Sequence, residues 1–122
     1  MKKKYTLRKN YEFRNILSKG RYYRGNLIDI YIKNNKKNDN YIGIAVGVKV
    51  AKAVKRNRIK RLIRESYRLL VKNTKLQKGN NIVFLWKKAN NIEDANLKDI
   101  KKDMINIFKD SNILIDLDIG EI

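Results

Sequence analysis

One helix rich in arginine limits the possible fold of this chain more than any other feature. Between residues 55 and 72, apolar and small side chains recur three and four positions apart, which is the spacing of a helix with one buried face: Ile59, Leu62, Ile63, Ser66, Tyr67 and Leu70. At about 100° per residue, four polar residues fall within roughly 60° of one another beside that face: Asn57, Arg61, Arg64 and Arg68. We predict a helix from residue 51 or 52 to about residue 72, with its apolar side in a core and its guanidinium groups in solvent.

The net charge of the chain indicates what this helix binds. The 122 residues include 30 Lys and Arg against 12 Asp and Glu, for a formal net charge of +18, while 43% are hydrophobic. The apolar content suits a compact domain, and the excess of positive charge favours nucleic acid or an anionic membrane surface as partner. Five of the nine arginines lie between residues 56 and 68, and the planar guanidinium group matches phosphate geometry. A row of phosphates is the expected ligand.

The charge is unevenly distributed along the chain. Residues 1–92 carry a net charge of +22 and residues 93–122 a net charge of −4, so the polyanion is expected to meet the first three quarters of the sequence. A helix whose cations served only solubility would carry glutamates four positions from them. Glu65 is the only acid in the predicted helix, and we expect it to point away from the arginine stripe, beside Arg58.

Composition excludes several functional classes. Without cysteine or histidine, the chain can form no disulfide, zinc site, thiol nucleophile or Ser-His dyad. The acids before residue 93 lack the spacing of a metal-dependent nuclease centre: Glu12, Asp29, Asp39 and Glu65. The longest apolar run, residues 82–86, is too short to span a bilayer, and the basic N-terminus leads into polar residues rather than a secretory signal. We expect a soluble, cytoplasmic protein that is poorly equipped to act as a nuclease by itself.

Local patterns in the first third of the chain predict a helix followed by strands. Asn10 is the expected N-cap of a short helix that ends at Gly20 and carries Phe13, Ile16 and Leu17. Residues 21–25 are expected to form an edge strand or a turn. The alternation of residues 27–33 predicts a strand, and the polar segment 34–40 predicts a loop.

The strand predicted at residues 41–48 has two unlike faces. The face expected to meet the core consists of Ile42, Ile44, Val46 and Val48. The opposite face is nearly bare, with Gly43, Ala45 and Gly47. Small residues in a strand mark a place where another group approaches the backbone. That group is either a ligand or a closely packed helix of the same chain, unless the glycines mark a bulge.

The remaining elements complete a mixed fold. Residues 82–86 predict an inner strand that is apolar on both faces, and residues 113–119 predict a final strand or a frayed tail. Residues 92–108 predict a second amphipathic helix, with these side chains inward: Leu97, Ile100, Met104, Ile107 and Phe108. Because the chain shows no repeat, linker or proline, residues 1–122 are predicted to form a single α+β domain.

Aromatic residues among cations form a second candidate site. Near Arg8, Arg14, Arg21, Arg24 and Lys33, the sequence places Phe13, Tyr22, Tyr23 and Tyr31. Aromatics with cations are typical of grooves that bind single-stranded nucleic acid, and packing in the core or at a sheet edge is the alternative. The spacing favours packing for Phe13, whereas the polar strand face favours a nucleic-acid contact for Tyr31.

The segment KAVKRNRIKRLIRE, residues 52–65, resembles the RNR signature of the protein subunit of bacterial ribonuclease P. The similarity extends, in the family's order and spacing, through residues 43–46 and through Leu7, Phe13, Gly20 and Tyr31. The resemblance implies a small α/β sandwich with a central, mostly antiparallel four-stranded sheet. It also implies a left-handed β-α-β crossover around the arginine-rich helix, against the general right-handed rule.

The same resemblance implies a function. In that family the catalytic RNA holds the active site and its magnesium ions, and the protein assists endonucleolytic removal of the 5′ leader from precursor tRNA. Carried over to this chain, the RNA-binding residues would be Lys49, Lys52, Arg56, Asn57, Arg58, Lys60, Arg61, Arg64 and Arg68. The cleft for the single-stranded leader would be lined by Phe13, Leu17 and Tyr31.

The partners implied are the catalytic RNA and precursor tRNA, with no membrane, no metal bound by the protein, and a free protein that is monomeric. A ribosomal or general RNA-binding protein without processing activity is the alternative, and a stand-alone nuclease is a further one. Three positions depart from the family pattern, namely Leu17, Val48 and Ala51. Leu17 stands where an aromatic residue is frequent, and residues 48–51 keep only Lys49 of the usual two lysines and a glycine.

Overall fold

The structure is a computed structural model that describes residues 5–7, 9–88 and 90–117, without the side chains of Asp116 and Leu117. The helices are α1 (Asn10–Lys19), α2 (Ala53–Asn73) and α3 (Leu97–Asp110), preceded by a turn of 3-10 helix at Ile92–Asp94. The strands are β1 (Arg21–Tyr23), β2 (Ile28–Asn34), β3 (Tyr41–Ala45), β4 (Thr74–Leu76), β5 (Asn80–Trp86) and β6 (Leu114–Leu117).

A four-stranded sheet in the order β1-β2-β5-β3 forms the centre of the fold. The β1–β2 and β2–β5 pairs are antiparallel and the β3–β5 pair is parallel, which confirms the predicted mostly antiparallel sheet. The parallel neighbours β3 and β5 are joined through α2, as a β-α-β connection requires. Its left-handed sense stays a prediction. A second, two-stranded antiparallel sheet joins β4 to β6, a pairing that no local sequence pattern predicted.

The two faces of the large sheet meet different helices. Alternate residues of β2 and β5, such as Ile30 and Phe84, share the main core with the buried side chains of α2 and α3. On the opposite face, Val83 forms a small separate cluster with Ile16 of α1 and Leu7. The sheet therefore lies between a layer formed by α2 and α3 and a partial layer formed by α1.

Two predictions in the first half of the chain are corrected by the structure. The N-cap of α1 is Lys9, and Asn10 is already helical; Glu12 accepts a hydrogen bond from the Lys9 backbone N–H at 3.1 Å. The strand predicted to reach residue 48 ends at Ala45, the last residue paired with β5. Val48 is 76% exposed because the chain has left the sheet at that point, and Ile44 is only half-buried.

The second amphipathic helix begins later than predicted. Asn96 caps α3 by accepting a hydrogen bond from the Asp99 backbone N–H at 2.9 Å, so the helix starts at Leu97 and not at residue 92. Its predicted inward residues Ile100, Met104, Ile107 and Phe108 are buried, whereas Leu97 is half-buried. The final strand is confirmed as β6, and the predicted continuation beyond residue 117 lies outside the described residues.

Asp103 is a buried carboxylate that the sequence analysis missed. It lies on the inner side of α3 with 4% of its surface exposed. It accepts hydrogen bonds from three consecutive backbone N–H groups, those of Asn26, Leu27 and Ile28, at 3.1, 2.7 and 3.2 Å. Three such bonds offset the cost of burying the charge. They hold the turn between β1 and β2 against α3.

Candidate RNA-binding surface

Helix α2 is divided into a buried and an exposed side, as its sequence predicts. Its buried residues are Ile59, Ile63, Ser66, Tyr67 and Leu70. Its exposed residues include Asn57, Arg58, Arg61, Arg64 and Arg68, which together we call the α2 surface. Lys60 is half-buried at the margin between the two sides. The helix can therefore be held by the core while its arginines remain available to a ligand.

Most arginines of the α2 surface have no acidic partner within the described part of the chain. Arg58, Arg61 and Arg64 form neither an ion pair nor a hydrogen bond with a described residue. Arg68 differs, because its Nε donates to Glu65 Oε2 at 3.0 Å and its Nη2 donates to Glu65 Oε1. The expectation that Glu65 points away from the arginine stripe is therefore wrong. The hydrogen bond from Arg68 lowers the pKa of Glu65.

Arg56 contacts the protein's own backbone. Its Nη1 donates to the carbonyl oxygens of Ala51 at 2.6 Å and Val48 at 3.4 Å, and the side chain is half-buried. These bonds hold the turn that precedes α2 and carries the exposed Lys49. Arg56, assigned to RNA binding by resemblance, thus has an intramolecular role in addition to its charge.

The beginning of α2 is favourable for an anion. Its first turn contains no acidic residue, and the N-cap residue Lys52 offers no side-chain acceptor to the first backbone N–H groups. Unpaired N–H groups and the helix dipole attract negative charge at this end. Lys55 is partly neutralised by Glu93 at 3.2 Å, but both side chains are more than half exposed, so this pair is weak and open to exchange with phosphate.

The bare face of β3 is covered by α1 at Gly43. A Cβ atom at that position would lie 2.6 Å from Phe13 Cζ, so the absence of a side chain allows the Phe13 ring to approach the strand. Of the predicted explanations for the small residues, a ligand, a closely packed helix or a bulge, the closely packed helix is correct at Gly43. Gly47 is exposed and has no such neighbour, its nearest contact being Val50 Cγ2 at 3.6 Å.

The predicted leader residues occupy one region but differ in exposure. Phe13 and Tyr31 are half-buried against the small cluster that includes Val83, whereas Leu17 is 38% exposed on α1. The ring of Tyr22 lies 5.2 Å from that of Tyr31. Because these two residues are directly paired across β1 and β2, hairpin register was the signal that could have added Tyr22 to the site.

A cavity lies where β5 ends, beside the turn that precedes α2. It measures about 610 Å³ and is lined by Asp29, Gly47, Val48, Lys49, Val50, Leu85, Trp86, Lys87 and Lys88. The cavity combines an apolar floor with three lysines. Lys87 is engaged with Asp29 at 3.7 Å, which leaves Lys49 and Lys88 as the exposed cations. Lys88 was not among the predicted site residues.

The described residues offer neither a metal site nor a membrane-spanning helix. Residues 5–7, 9–88 and 90–117 contain no group of three or more acidic side chains placed to hold a metal ion. Over the same ranges, no helix is both long and apolar enough to cross a membrane.

The fold and the exposed arginines define a small α+β protein that presents one arginine-rich helix at its surface. Comparison with known proteins identifies its family. A sequence model of ribonuclease P matches residues 1–112. The ribonuclease P protein component of Clostridium botulinum (strain Langeland / NCTC 10281 / Type F) is 42% identical over 107 residues, which cover 88% of this chain and 94% of that protein. The corresponding protein of Fusobacterium nucleatum is 43% identical over 111 residues, with 89% and 98% coverage.

Solved structures agree with the sequence comparison. The RNase P protein of Staphylococcus aureus superposes with a TM-score of 0.74 at 26% identity, covering 91% of this chain and 98% of that one. The RNase P protein of Thermotoga maritima gives a TM-score of 0.74 at 25% identity, with 86% and 96% coverage. The chain belongs to the ribonuclease P protein family, whose role is the maturation of tRNA 5′ ends. Its individual RNA contacts remain predictions.

Proposed function

We propose that this protein binds the catalytic RNA of ribonuclease P through the α2 surface and the 5′ leader of precursor tRNA through the cleft between α1 and the sheet. The observation that carries the proposal is the exposure of Arg58, Arg61 and Arg64 without an acidic partner among the described residues. The other side of the helix is held in the core. Adjacent like charges repel one another, and a phosphate backbone relieves that repulsion.

In this proposal the protein supplies electrostatic support and substrate affinity, and the RNA supplies the chemistry. Magnesium ions at the RNA active site would activate the attacking water and stabilise the leaving oxygen, as metal ions do in phosphodiester hydrolysis. The protein would neutralise phosphates whose crowding opposes RNA folding and substrate docking, so less magnesium would be needed. The protein contributes no nucleophile or general base.

The leader would follow the open face of the sheet. Unpaired bases would stack beside Tyr31 and Phe13, with Leu17 giving apolar contact, because aromatic side chains accept any base face. Leu85 and Lys49 line the same cavity, and we expect Lys49 to bind a leader phosphate there. Cytoplasmic location and a monomeric free protein belong to the same proposal.

Reconstitution with the catalytic RNA tests the proposal. We expect the protein to stimulate cleavage of a leader-bearing precursor at low magnesium. Arg61→Ala should weaken assembly with the catalytic RNA and make the slope of log K against log salt about one unit less negative. Lys102→Ala, which removes an exposed cation on α3 outside the α2 surface, is the matched control for net charge.

The leader cleft is tested separately. Tyr31→Ala should weaken binding of precursor tRNA that carries a leader by roughly tenfold, the loss expected for one stacked base. It should leave binding of mature tRNA and assembly with the catalytic RNA unchanged. A protein that binds RNA without stimulating cleavage would support the general RNA-binding alternative. Cleavage by the protein without RNA would support the stand-alone nuclease.

A further inference from the structure

A small cavity joins the two candidate surfaces at the edge of the sheet. It measures about 140 Å³ and is lined by Thr6, Leu7, Phe13, Ile42, Ile44, Lys60 and Arg64. Phe13 belongs to the predicted leader cleft, whereas Lys60 and Arg64 belong to α2. The cavity is therefore the place where the α1 side of the protein and the arginine-rich helix meet.

The cavity is formed by three separate segments around β3. This strand is an outer strand of the sheet, and its free edge is partly covered by residues 6 and 7, with the Leu7 N–H donating to the Ile42 carbonyl at 2.7 Å. Phe13 closes one side because Gly43 lets its ring approach the strand. Ile44 contributes to the floor, which explains why it is only half-buried.

The chemistry of the lining points to one class of ligand. The floor is apolar, and a cavity of roughly 150 Å³ with apolar walls accommodates a six-membered aromatic ring. The two cations of the lining, Lys60 and Arg64, have no hydrogen bond or ion pair to a described residue. No carboxylate of a described residue lines the cavity. An aromatic ring attached to an anionic group is the matching ligand.

We propose that this cavity binds one unpaired nucleotide of the catalytic RNA, with its base inside the cavity and its phosphate between Lys60 and Arg64. The inference rests on the proposed function, because α2 must dock on that RNA for the nucleotide to reach the cavity. The catalytic RNA, and not the leader, is assigned as the source because Arg64 is part of the α2 surface and Lys60 adjoins it.

Filling the cavity tests the proposal. In Thr6→Trp the indole would occupy the space assigned to the base, while Thr6→Ala leaves it open as the matched control. Chemical probing of unpaired bases is carried out on the catalytic RNA bound to each variant. We expect the unmodified protein and Thr6→Ala to protect one unpaired base, Thr6→Trp to leave it reactive, and the affinity of Thr6→Trp to fall roughly tenfold.

Hydroxyl-radical probing of the RNA backbone distinguishes a failure of the cavity proposal from a failure of the proposed function. If Thr6→Trp and the unmodified protein give the same base reactivities while both protect the backbone, the cavity proposal is overturned and the proposed function stands. If the unmodified protein protects no part of the RNA, the proposed function itself fails. Cavity-dependent protection that falls only on a leader base would overturn the assignment to the catalytic RNA.

An abasic substitution in the RNA provides a test that does not depend on the folding of a variant. The protected base is removed while its phosphate and ribose are kept. The unmodified protein should then bind this RNA roughly tenfold more weakly, and Thr6→Trp should bind it as well as it binds the intact RNA. An unmodified protein that binds both RNAs equally would contradict the proposal.

Discussion

Single arginines of α2 differ in what they contact, although the sequence makes them look equivalent. Arg58 is exposed and without a described partner, whereas Arg56 donates to the backbone carbonyls of Ala51 and Val48. Replacing Arg58 removes a charge, while replacing Arg56 also releases the turn that carries Lys49. The periodicity of a helix reports which side of it a residue occupies, and it contains no information about a carbonyl oxygen in the preceding turn.

The close packing of Phe13 against Gly43 can be tested by adding a methyl group to the glycine. Gly43→Ala would place a methyl group 2.6 Å from Phe13 Cζ, so the ring must move away from the strand. We expect weaker binding of leader-bearing precursor, by a factor of about 10 if one stacking contact is lost. Asn106→Ala, at an exposed position of α3 outside the cleft, is the control. Equal leader affinity in both variants would contradict the placement of Phe13 in the cleft.

Tyr67 provides a prediction about pH. Burial raises the pKa of Tyr67 to about 12, against about 10 for an unfolded chain. Above pH 10 the unfolded state loses this proton before the folded state does, so the free energy of unfolding should fall as the pH rises from 10 toward 12, by up to about 2 kcal/mol. Tyr67→Phe should lack this part of the pH dependence in urea titrations. The exposed Tyr11→Phe should retain it.

At the scale of the element, α2 shows how far local sequence determines a site. The predicted limits of residues 51 or 52 to 72 agree with Ala53–Asn73, and the predicted buried side is correct except for Leu62, which is half-buried. Amphipathic periodicity is a local property, so the sequence alone suffices to place the cations on the exposed side. The ion pair between Glu65 and Arg68 was not predicted, although side chains three positions apart are direct neighbours on a helix.

Glu65 is also the subject of a prediction. It neutralises Arg68 in the free protein, and any phosphate that binds Arg68 must replace it. Glu65→Gln should therefore tighten binding to the catalytic RNA and make the slope of log K against log salt more negative, by up to one unit. Glu12→Gln, on α1, controls for the change in net charge. Unchanged affinity and slope in Glu65→Gln would show that Arg68 does not contact RNA.

At the scale of the whole molecule, the sheet holds α1 and α2 on opposite faces, and the β3 edge is where they meet. The N-terminal segment and Phe13 on one side, and Lys60 and Arg64 on the other, line the same cavity. Lys60 and Phe13 lie far apart in the sequence. Only the sheet order, with β3 outermost, brings them together.

Asp103 links α3 to the turn between β1 and β2 and provides the prediction at this scale. Asp103→Asn would lose charge and place amide hydrogens against backbone N–H groups, so we expect a loss of about 3 kcal/mol in the free energy of unfolding. The exposed Asp110→Asn, near the end of the same helix, should change it by less than about 0.5 kcal/mol. Urea unfolding monitored by circular dichroism measures both, and similar values for the two variants would refute the role of Asp103.

The sequence by itself determined the exposed arginines of α2, the buried strands, and the family to which the RNR segment belongs. These depend on spacing within one element, which local periodicity and residue type specify. The tertiary structure alone decided which group covers Gly43, that Val48 lies outside the core, that Asp103 binds a turn more than seventy residues away, and that Phe13 shares a cavity with α2. Each of these depends on contacts between segments far apart in the chain, because the order and register of strands place such segments together and no local pattern records that order.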